Sequence, residues 1–194
     1  MEPVDPPVRR PLTESASAAV PRLTAALKAA VYPLLPPTTL YPAVVHWVTG
    51  DRTHPPLRMF RFDTSYMAFA EVRDSQGIGY VEFSVYPYIG DNPKRPFAEY
   101  CDRLLPPSTA HCETRVGPHG ELITIETGNV TDTTPVQEYR VDVARADGTA
   151  LLAIGRNVGA DGNINEGPIE RPTPPLNPDQ MVAVLLSPGL TAYP

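Results

Sequence analysis

The acids best placed for acid–base chemistry are Glu71 and Glu82. They lie in two segments that flank a predicted turn, so we expect them to approach each other across a β-hairpin. Hydrolysis by paired carboxyl groups needs two acids at a fixed separation in a cleft. Like charges on paired strands more often mark a solvent-exposed face, or a face neutralised by Arg73 or Arg61. The pair is therefore a minor candidate for a hydrolase site, with His46 as a further residue to test.

Histidine and cysteine side chains form the second candidate set. Two of the four histidines, His111 and His119, lie near Cys112 and Cys101 in the sequence. Together they contain the ligand types of a zinc site, but the spacings typical of zinc fingers are missing. His111 and Cys112 are also neighbours in a predicted strand, so their side chains point to opposite faces. The pattern favours solvated histidines and predicts no metal.

Cys101 and Cys112 are the only cysteines, and no C-x-x-C motif is present. One pair at this spacing is compatible with a single disulfide, which would stabilise the fold by roughly 3 kcal/mol. Two unconnected buried thiols in a cytosolic protein are the alternative. The residues alone leave both arrangements open.

An aromatic set is a candidate binding surface, because tyrosine and phenylalanine offer large contact areas at a small cost in entropy. Its members are Tyr66, Tyr80, Tyr86, Tyr88, Phe97 and Tyr100. The alternative is that these rings close the hydrophobic core against a short helix.

Other motifs and the charge balance exclude several function classes. Residues 77–79 (GIG) precede a strand rather than a helix, so they cannot form a phosphate-binding loop. No G-x-S-x-G nucleophile elbow occurs. The 16 basic and 22 acidic residues give a net charge of −6, which argues against a general nucleic-acid binder. We expect no cofactor, no nucleic-acid partner and no membrane span.

The elements that must position these residues are short, because 25 of the 194 residues are proline. Residues 1–14 read as a flexible Pro-rich arm and 15–194 as one domain. Apolar spacing predicts a helix over 17–32, in which Pro21 is acceptable if it lies in the first turn. A short helix is expected at 96–105, and a third is opened by an N-cap at Asn177.

Strand signals alternate with turn signals through the middle of the chain. Strands are predicted at 41–49, 57–62, 66–72, 78–86, 111–116, 121–127, 136–145 and 149–154. The Asp147-Gly148 turn predicts a tight two-residue hairpin, and residues 158–175 read as a surface connection. The expected fold is α+β: an antiparallel sheet of about six to seven hairpin-connected strands, with N-terminal, central and C-terminal helices packed on it. One side of this sheet is expected to be solvated.

Several segments of the sequence, taken together, resemble those of a known group of proteins. A cysteine pair precedes residues 120–125 (GELITI), and the chain closes with residues 174–181 (PPLNPDQM) and 187–190 (SPGL). This pattern resembles uncharacterised actinobacterial cell-envelope proteins, namely ectodomains of lipoproteins or single-span membrane proteins. The resemblance implies an extracytoplasmic domain, a Cys101–Cys112 disulfide and no specific activity. The export segment would then be absent from this chain.

The sequence therefore predicts a non-catalytic secreted or membrane-tethered module. Its ligand would be a protein or an envelope component, bound through a sheet edge, loops or the aromatic region. The alternatives are a cytosolic accessory or immunity-type partner protein, and a hydrolase with a site built from loops.

Overall fold

The computed structural model describes residues 12, 14–44, 53–87, 101, 111–130, 135–159, 169 and 171–194. Helix α1 spans Ala16–Val31 and helix α2 spans Pro178–Leu185, and a short 3₁₀ turn covers Pro37–Thr39. The strands are β1 Leu40–Tyr41, β2 Ala43–Val44, β3 Thr53–His54, β4 Phe60–Phe62, β5 Ser65–Asp74, β6 Gly77–Pro87, β7 His111–Val116, β8 Leu122–Asn129, β9 Gln137–Ala144 and β10 Thr149–Arg156.

Eight of these strands form one antiparallel sheet in the order β1-β5-β6-β10-β9-β8-β7, with β4 paired to β5 beside β1. Strands β2 and β3 form a separate two-stranded ladder. The predicted α+β class and its antiparallel sheet are confirmed. Of the central helix expected at 96–105, all residues except Cys101 lie outside the described part of the chain.

The β9–β10 turn differs from the tight two-residue type that the sequence predicted, and the β7–β8 turn, for which no type was predicted, has the same form. In the β9–β10 turn only Gly148 has a positive φ, at 88°, and its N–H donates to the Arg145 carbonyl. Gly120 plays the same part in the β7–β8 turn, with φ at 84°. These are three-residue loops closed by a glycine bulge, so one left-handed residue suffices where a type I′ turn needs two.

The first of the two sheet faces, the helix face, carries the main hydrophobic core. Alternate residues of each strand point to it, and both helices cover it. In α1 the buried residues are Leu23, Leu27 and Val31. In α2 they are Met181 and Leu185. Helix α1 begins one residue earlier than predicted, and Pro21 is its sixth residue, inside the helix rather than in its first turn.

Helix α2 begins as its sequence predicts. The Asn177 side chain accepts from the Gln180 N–H, and the Gln180 side chain accepts from the Asn177 N–H, both at 2.9 Å. This reciprocal capping box satisfies two backbone donors that the first helical turn leaves unpaired.

The second sheet face, the polar face, is more enclosed than the alternation of β6 suggested. Tyr80, Glu82 and Ser84 point to it and were expected to be solvated, yet each is no more than 4% exposed. The prediction of one wet side is therefore wrong for the centre of the sheet. Alternation identifies which residues share a face, but it does not show that other parts of the chain cover that face.

The described end of the segment predicted as a surface connection packs against the sheet. Arg171 is 4% exposed, and its guanidinium lies 3.1 Å from the Asp74 carboxylate. A Cβ built on Gly79 would lie 2.6 Å from Pro175 Cγ, so this strand position has no room for a side chain. The chain is thus held over the helix face before α2 begins.

Candidate functional site

A group of charged side chains lies on the polar face of three adjacent strands, β6, β10 and β9. On β6, the Tyr80 hydroxyl donates to the Glu82 carboxylate at 2.7 Å. Both side chains are 3% exposed, and Phe69 lies opposite Glu82 on β5. Burial raises the pKa of Glu82 above its ordinary value, and the hydrogen bond from Tyr80 lowers that pKa by less. Burial and then the charge of Glu82 raise the pKa of Tyr80, so Tyr80 is a neutral donor.

Arg156 of β10 places a cation beside this pair. Its guanidinium lies 2.6 Å from the Glu138 carboxylate of β9 and 5.9 Å from the centre of the Tyr80 ring. Its charge lowers the pKa of Glu82, which opposes the effect of burial. Side-chain contacts on the polar face therefore link β6, β10 and β9 electrostatically, in addition to the backbone hydrogen bonds between these strands.

A second cluster lies one row further along the same face. The Arg140 guanidinium donates to the Asp142 carboxylate at 2.8 Å, and Asp142 is almost fully buried. Burial raises the pKa of Asp142, while Arg140 lowers it. Glu126 lies opposite Arg140 on β8, and burial raises its pKa too. Each buried acid thus has a cation close by, an arrangement that fixes side-chain positions in the sheet.

The structure brings Glu71 and Glu82 to the same face, as the hairpin predicted. Glu71 lies opposite Tyr80, one row from Glu82, and its carboxylate accepts from Arg73 Nε at 2.5 Å. Of the two arrangements considered for this pair, the solvent-exposed one is wrong and the one neutralised by arginine is found. His46, the third residue of the hydrolase hypothesis, lies outside the described residues.

The described histidines lie apart from one another. The His54 ring packs 4.2 Å from the Phe60 ring and 5.3 Å from the Phe69 ring. His111 and His119 are exposed on β7 and on the turn that follows it. Within the described ranges, no group of three or more histidine, cysteine or acidic side chains is arranged to hold a metal ion.

The described members of the predicted aromatic set lie on both faces of the sheet. Tyr66 is buried in the core of the helix face, Tyr80 is buried on the polar face, and Tyr86 is half-buried on the polar face. They do not form one exposed aromatic surface. Tyr88, Phe97 and Tyr100 lie outside the described residues.

Cys101 and Cys112 form a disulfide, with their Cα atoms 5.4 Å apart. Cys112 belongs to β7 and lies opposite Glu126, which puts its side chain on the polar face. The disulfide that the family resemblance implied is therefore present. It ties the connection between β6 and β7 to the outermost strand of the sheet.

Within the part of the chain that the structure describes, strand β7 is the last strand at one edge of the sheet. Its neighbour is β8, and on its other side no strand of the described chain pairs with it. His111, Thr114, Arg115 and Val116 are exposed, and Val116 is 74% exposed. An open edge presents unpaired N–H and C=O groups, which is how a sheet accepts an additional strand.

The hydrogen-bond pattern shows which backbone groups of β7 face outward. The Gly117 N–H donates to the Glu121 carbonyl at 2.8 Å, and the ladder continues from there with Val116 opposite Leu122. Because bonded and non-bonded pairs alternate in an antiparallel ladder, Arg115 and Glu113 bond to β8. The N–H and C=O groups of residues 112, 114 and 116 consequently point away from the sheet.

A shallow groove of about 890 Å³ lies along the outer side of α1. It is lined by Ala16, Ser17, Val20, Pro21, Thr24, Ala25, Lys28 and Arg58. Small and aliphatic side chains make up most of this surface, and Lys28 and Arg58 are its charged residues.

The sequence indicated Arg73 as a partner of the acids but not Arg140 and Arg156, and it did not indicate that β7 lies at the edge of the described sheet. In β9, Glu138, Arg140 and Asp142 occupy every second position, and this alternation of charge was a readable sign of a paired polar face. The short β7 segment has no corresponding sign, since its place at the edge depends on pairing between distant strands.

Comparisons with protein-family models, with curated proteins and with solved structures found no match. The likeness to actinobacterial cell-envelope proteins therefore stays a prediction. No helix in the described part of the chain is long and apolar enough to cross a membrane.

Proposed function

We propose that this protein is a non-catalytic, extracytoplasmic binding module, secreted or membrane-tethered, that recognises a protein through the open edge at β7. The observation that carries the proposal is the position of β7, with exposed residues and outward-directed backbone groups, at the end of the sheet that the described residues form. Main-chain pairing supplies affinity in this mode of recognition, and neighbouring side chains supply specificity.

The disulfide supports the extracytoplasmic part of the proposal. Disulfides persist in oxidising compartments and are rare in the cytosol, where thiols are kept reduced. Here the bond joins Cys101 to Cys112, and Cys112 belongs to the edge strand itself. A cytosolic accessory or immunity-type partner protein is the alternative. It predicts free thiols in the protein isolated from its native host.

The buried polar face supports binding over hydrolysis. Glu71 is paired with Arg73, and Glu82 accepts a hydrogen bond from Tyr80. A general acid or base must reach the proton that it transfers. Both carboxyl groups are 5% exposed or less, whereas Thr114, Arg115 and Val116 of β7 are exposed.

The proposal is tested by photo-crosslinking in cells of the native host. A photoreactive residue replaces Val116 on the edge, and in a control chain it replaces Ser75 on the exposed turn between β5 and β6. Each chain is also made with Thr114→Pro, which removes an outward-facing N–H, and with Thr114→Ala, which retains it.

We expect an adduct at position 116 that persists with Thr114→Ala and is lost with Thr114→Pro, and no adduct at position 75. The mass of the adduct distinguishes a second copy of this chain from another protein. Failure to form an adduct at position 116, or an adduct indifferent to Thr114→Pro, would overturn edge recognition.

A further inference from the structure

The charges of β7 are self-complementary about Thr114. Glu113 and Arg115 flank Thr114, and both side chains lie on the helix face because they are opposite Ile125 and Ile123. An antiparallel copy of the strand reverses the order of its residues. With Thr114 opposite Thr114, each Glu113 would therefore lie directly opposite Arg115 of the second copy, a favourable cross-strand pair.

The outward-facing backbone groups require the same alignment. With Thr114 at the centre, Cys112 of one copy lies opposite Val116 of the other, and Thr114 lies opposite itself. All of these residues direct their N–H and C=O groups away from β8. Each pair can thus exchange two backbone hydrogen bonds across the junction.

The two neighbouring alignments that also match outward-facing groups are electrostatically unfavourable. Centring the pair on residue 113 puts Glu113 opposite Glu113, and centring it on residue 115 puts Arg115 opposite Arg115. Like charges directly opposite each other destabilise a strand pair. Backbone geometry and charge together therefore select one register.

Val116 gives a further reason for the edge to be covered. It is 74% exposed, more than the other exposed large apolar side chains of the described chain, Tyr41, Phe62 and Ile169. In the Thr114-centred register its side chain would lie on the polar face beside Cys112 of the second copy. The contact would remove apolar surface from water on both sides of the axis.

We infer that the partner of the β7 edge is a second copy of this chain, which joins two sheets antiparallel across Thr114; the inference rests on the proposed edge recognition. The interface is isologous, with the same strand on both sides of a two-fold axis. With one six-residue strand from each copy, the junction belongs among weak interfaces, so the dimer forms in a concentration-dependent way.

The test measures the molar mass of the purified, disulfide-intact protein by light scattering over a wide range of concentrations. Glu113→Arg and Arg115→Glu each place like charges across the axis, and the double variant restores opposite charges. Thr114→Pro and Thr114→Ala separate the outward N–H from the side chain. Asp179→Asn removes the α2 partner of Arg115, 2.7 Å away, without altering the edge.

We expect the wild-type chain to dimerise, and each single charge reversal and Thr114→Pro to weaken dimerisation about tenfold or more. The double variant, Thr114→Ala and Asp179→Asn should dimerise like the wild type. Circular dichroism and thermal unfolding confirm that each variant is folded.

A wild-type chain that is monomeric at every concentration would overturn the dimer, as would a dimer that tolerates both the charge reversals and Thr114→Pro. If the chain is monomeric while the adduct at position 116 forms with a different protein, edge recognition stands and only self-association fails. If both results are negative, both proposals fail.

Discussion

Glu82 is the residue with the most direct consequence for behaviour in solution. It is 3% exposed, with the Tyr80 hydroxyl bonded to its carboxylate and Arg156 nearby. Burial penalises its charged form, and its pKa is raised even with these favourable contacts. The folded protein therefore holds a proton on Glu82 more tightly than the unfolded chain does.

This difference predicts a falling stability with rising pH. Above the ordinary glutamate pKa of 4.5, the unfolded chain releases the proton first, so the free energy of unfolding decreases until the folded-state pKa is passed. Glu82→Gln retains an acceptor for Tyr80 and removes the titration. We expect the variant to lose less stability than the wild type as the pH rises above 4.5 in urea unfolding.

The slope should be reduced in the Glu82→Gln variant and not abolished, because burial raises the pKa of Asp142 and Glu126 in the same direction. Ser75→Ala, at an exposed turn position without a titratable group, is the control and should keep the wild-type pH dependence. Identical pH profiles for the wild type and Glu82→Gln would show that Glu82 does not titrate as an isolated buried acid.

Among the elements, the segment that leads into α2 shows how a loop is fixed on the sheet. Gly79 lies beneath Pro175 and Arg171, and Gly155 lies beneath Pro174. A Cβ on Gly79 would come within 2.6 Å of Pro175, whereas a Cβ on Gly155 would come no closer than 3.3 Å to Pro174. The two glycines therefore form a matched pair that differs in available space.

We expect Gly79→Ala to destabilise the fold by about 1–3 kcal/mol, because the segment or the strand must shift to admit the methyl group. Gly155→Ala should cost clearly less, since a small relaxation accommodates it. Urea unfolding of the two variants measures the difference. Equal effects would mean that the segment yields freely and does not constrain the strand.

Element positions were predictable where the signal is local. The apolar spacing of α1 and the cap at Asn177 gave helix boundaries within one or two residues of those found. The segment predicted as a strand at 57–62 shortened to Phe60–Phe62, because Leu57 is buried with a φ of 54° and its N–H donates to the Phe69 carbonyl. A contact with a distant strand decides this conformation, so the local pattern could not indicate it.

The candidate site was predictable only in part for the same reason. Alternation placed Tyr80 and Glu82 together on one face, and the hairpin placed Glu71 near them. The neighbouring Arg156 and Glu138 reach this face because β10 is inserted between β6 and β9. Strand order is a property of the whole sheet, and it also determines that β7 is an edge.

At the scale of the whole molecule, the disulfide links the edge strand to the chain that precedes it. Replacing Cys101 and Cys112 with serine frees this link, and the chain-entropy model gives an expected loss of roughly 3 kcal/mol for a loop of this size. Chemical unfolding of the double serine variant against the oxidised wild type measures the loss. The reduced wild type is the matched control and should resemble the variant.

An unchanged stability in the double serine variant would mean that the bond does not constrain the unfolded chain. The oxidation state in the native host is a separate test of compartment. Alkylation under denaturing, non-reducing conditions should leave both cysteines unmodified if the protein folds outside the cytosol. Reaction of both thiols would favour the cytosolic alternative.

The outward-facing backbone of β7 is the centre of the proposed function, and amide hydrogen exchange tests it residue by residue. In dilute protein, the amides of Thr114 and Val116 should exchange rapidly, whereas those of Glu113 and Arg115, bonded to β8, should be protected. At high concentration the two outward-facing amides should become protected and the other two should change little. Outward-facing amides that are already protected in dilute protein, or that stay unprotected at every concentration and with every captured partner, would contradict recognition through this edge.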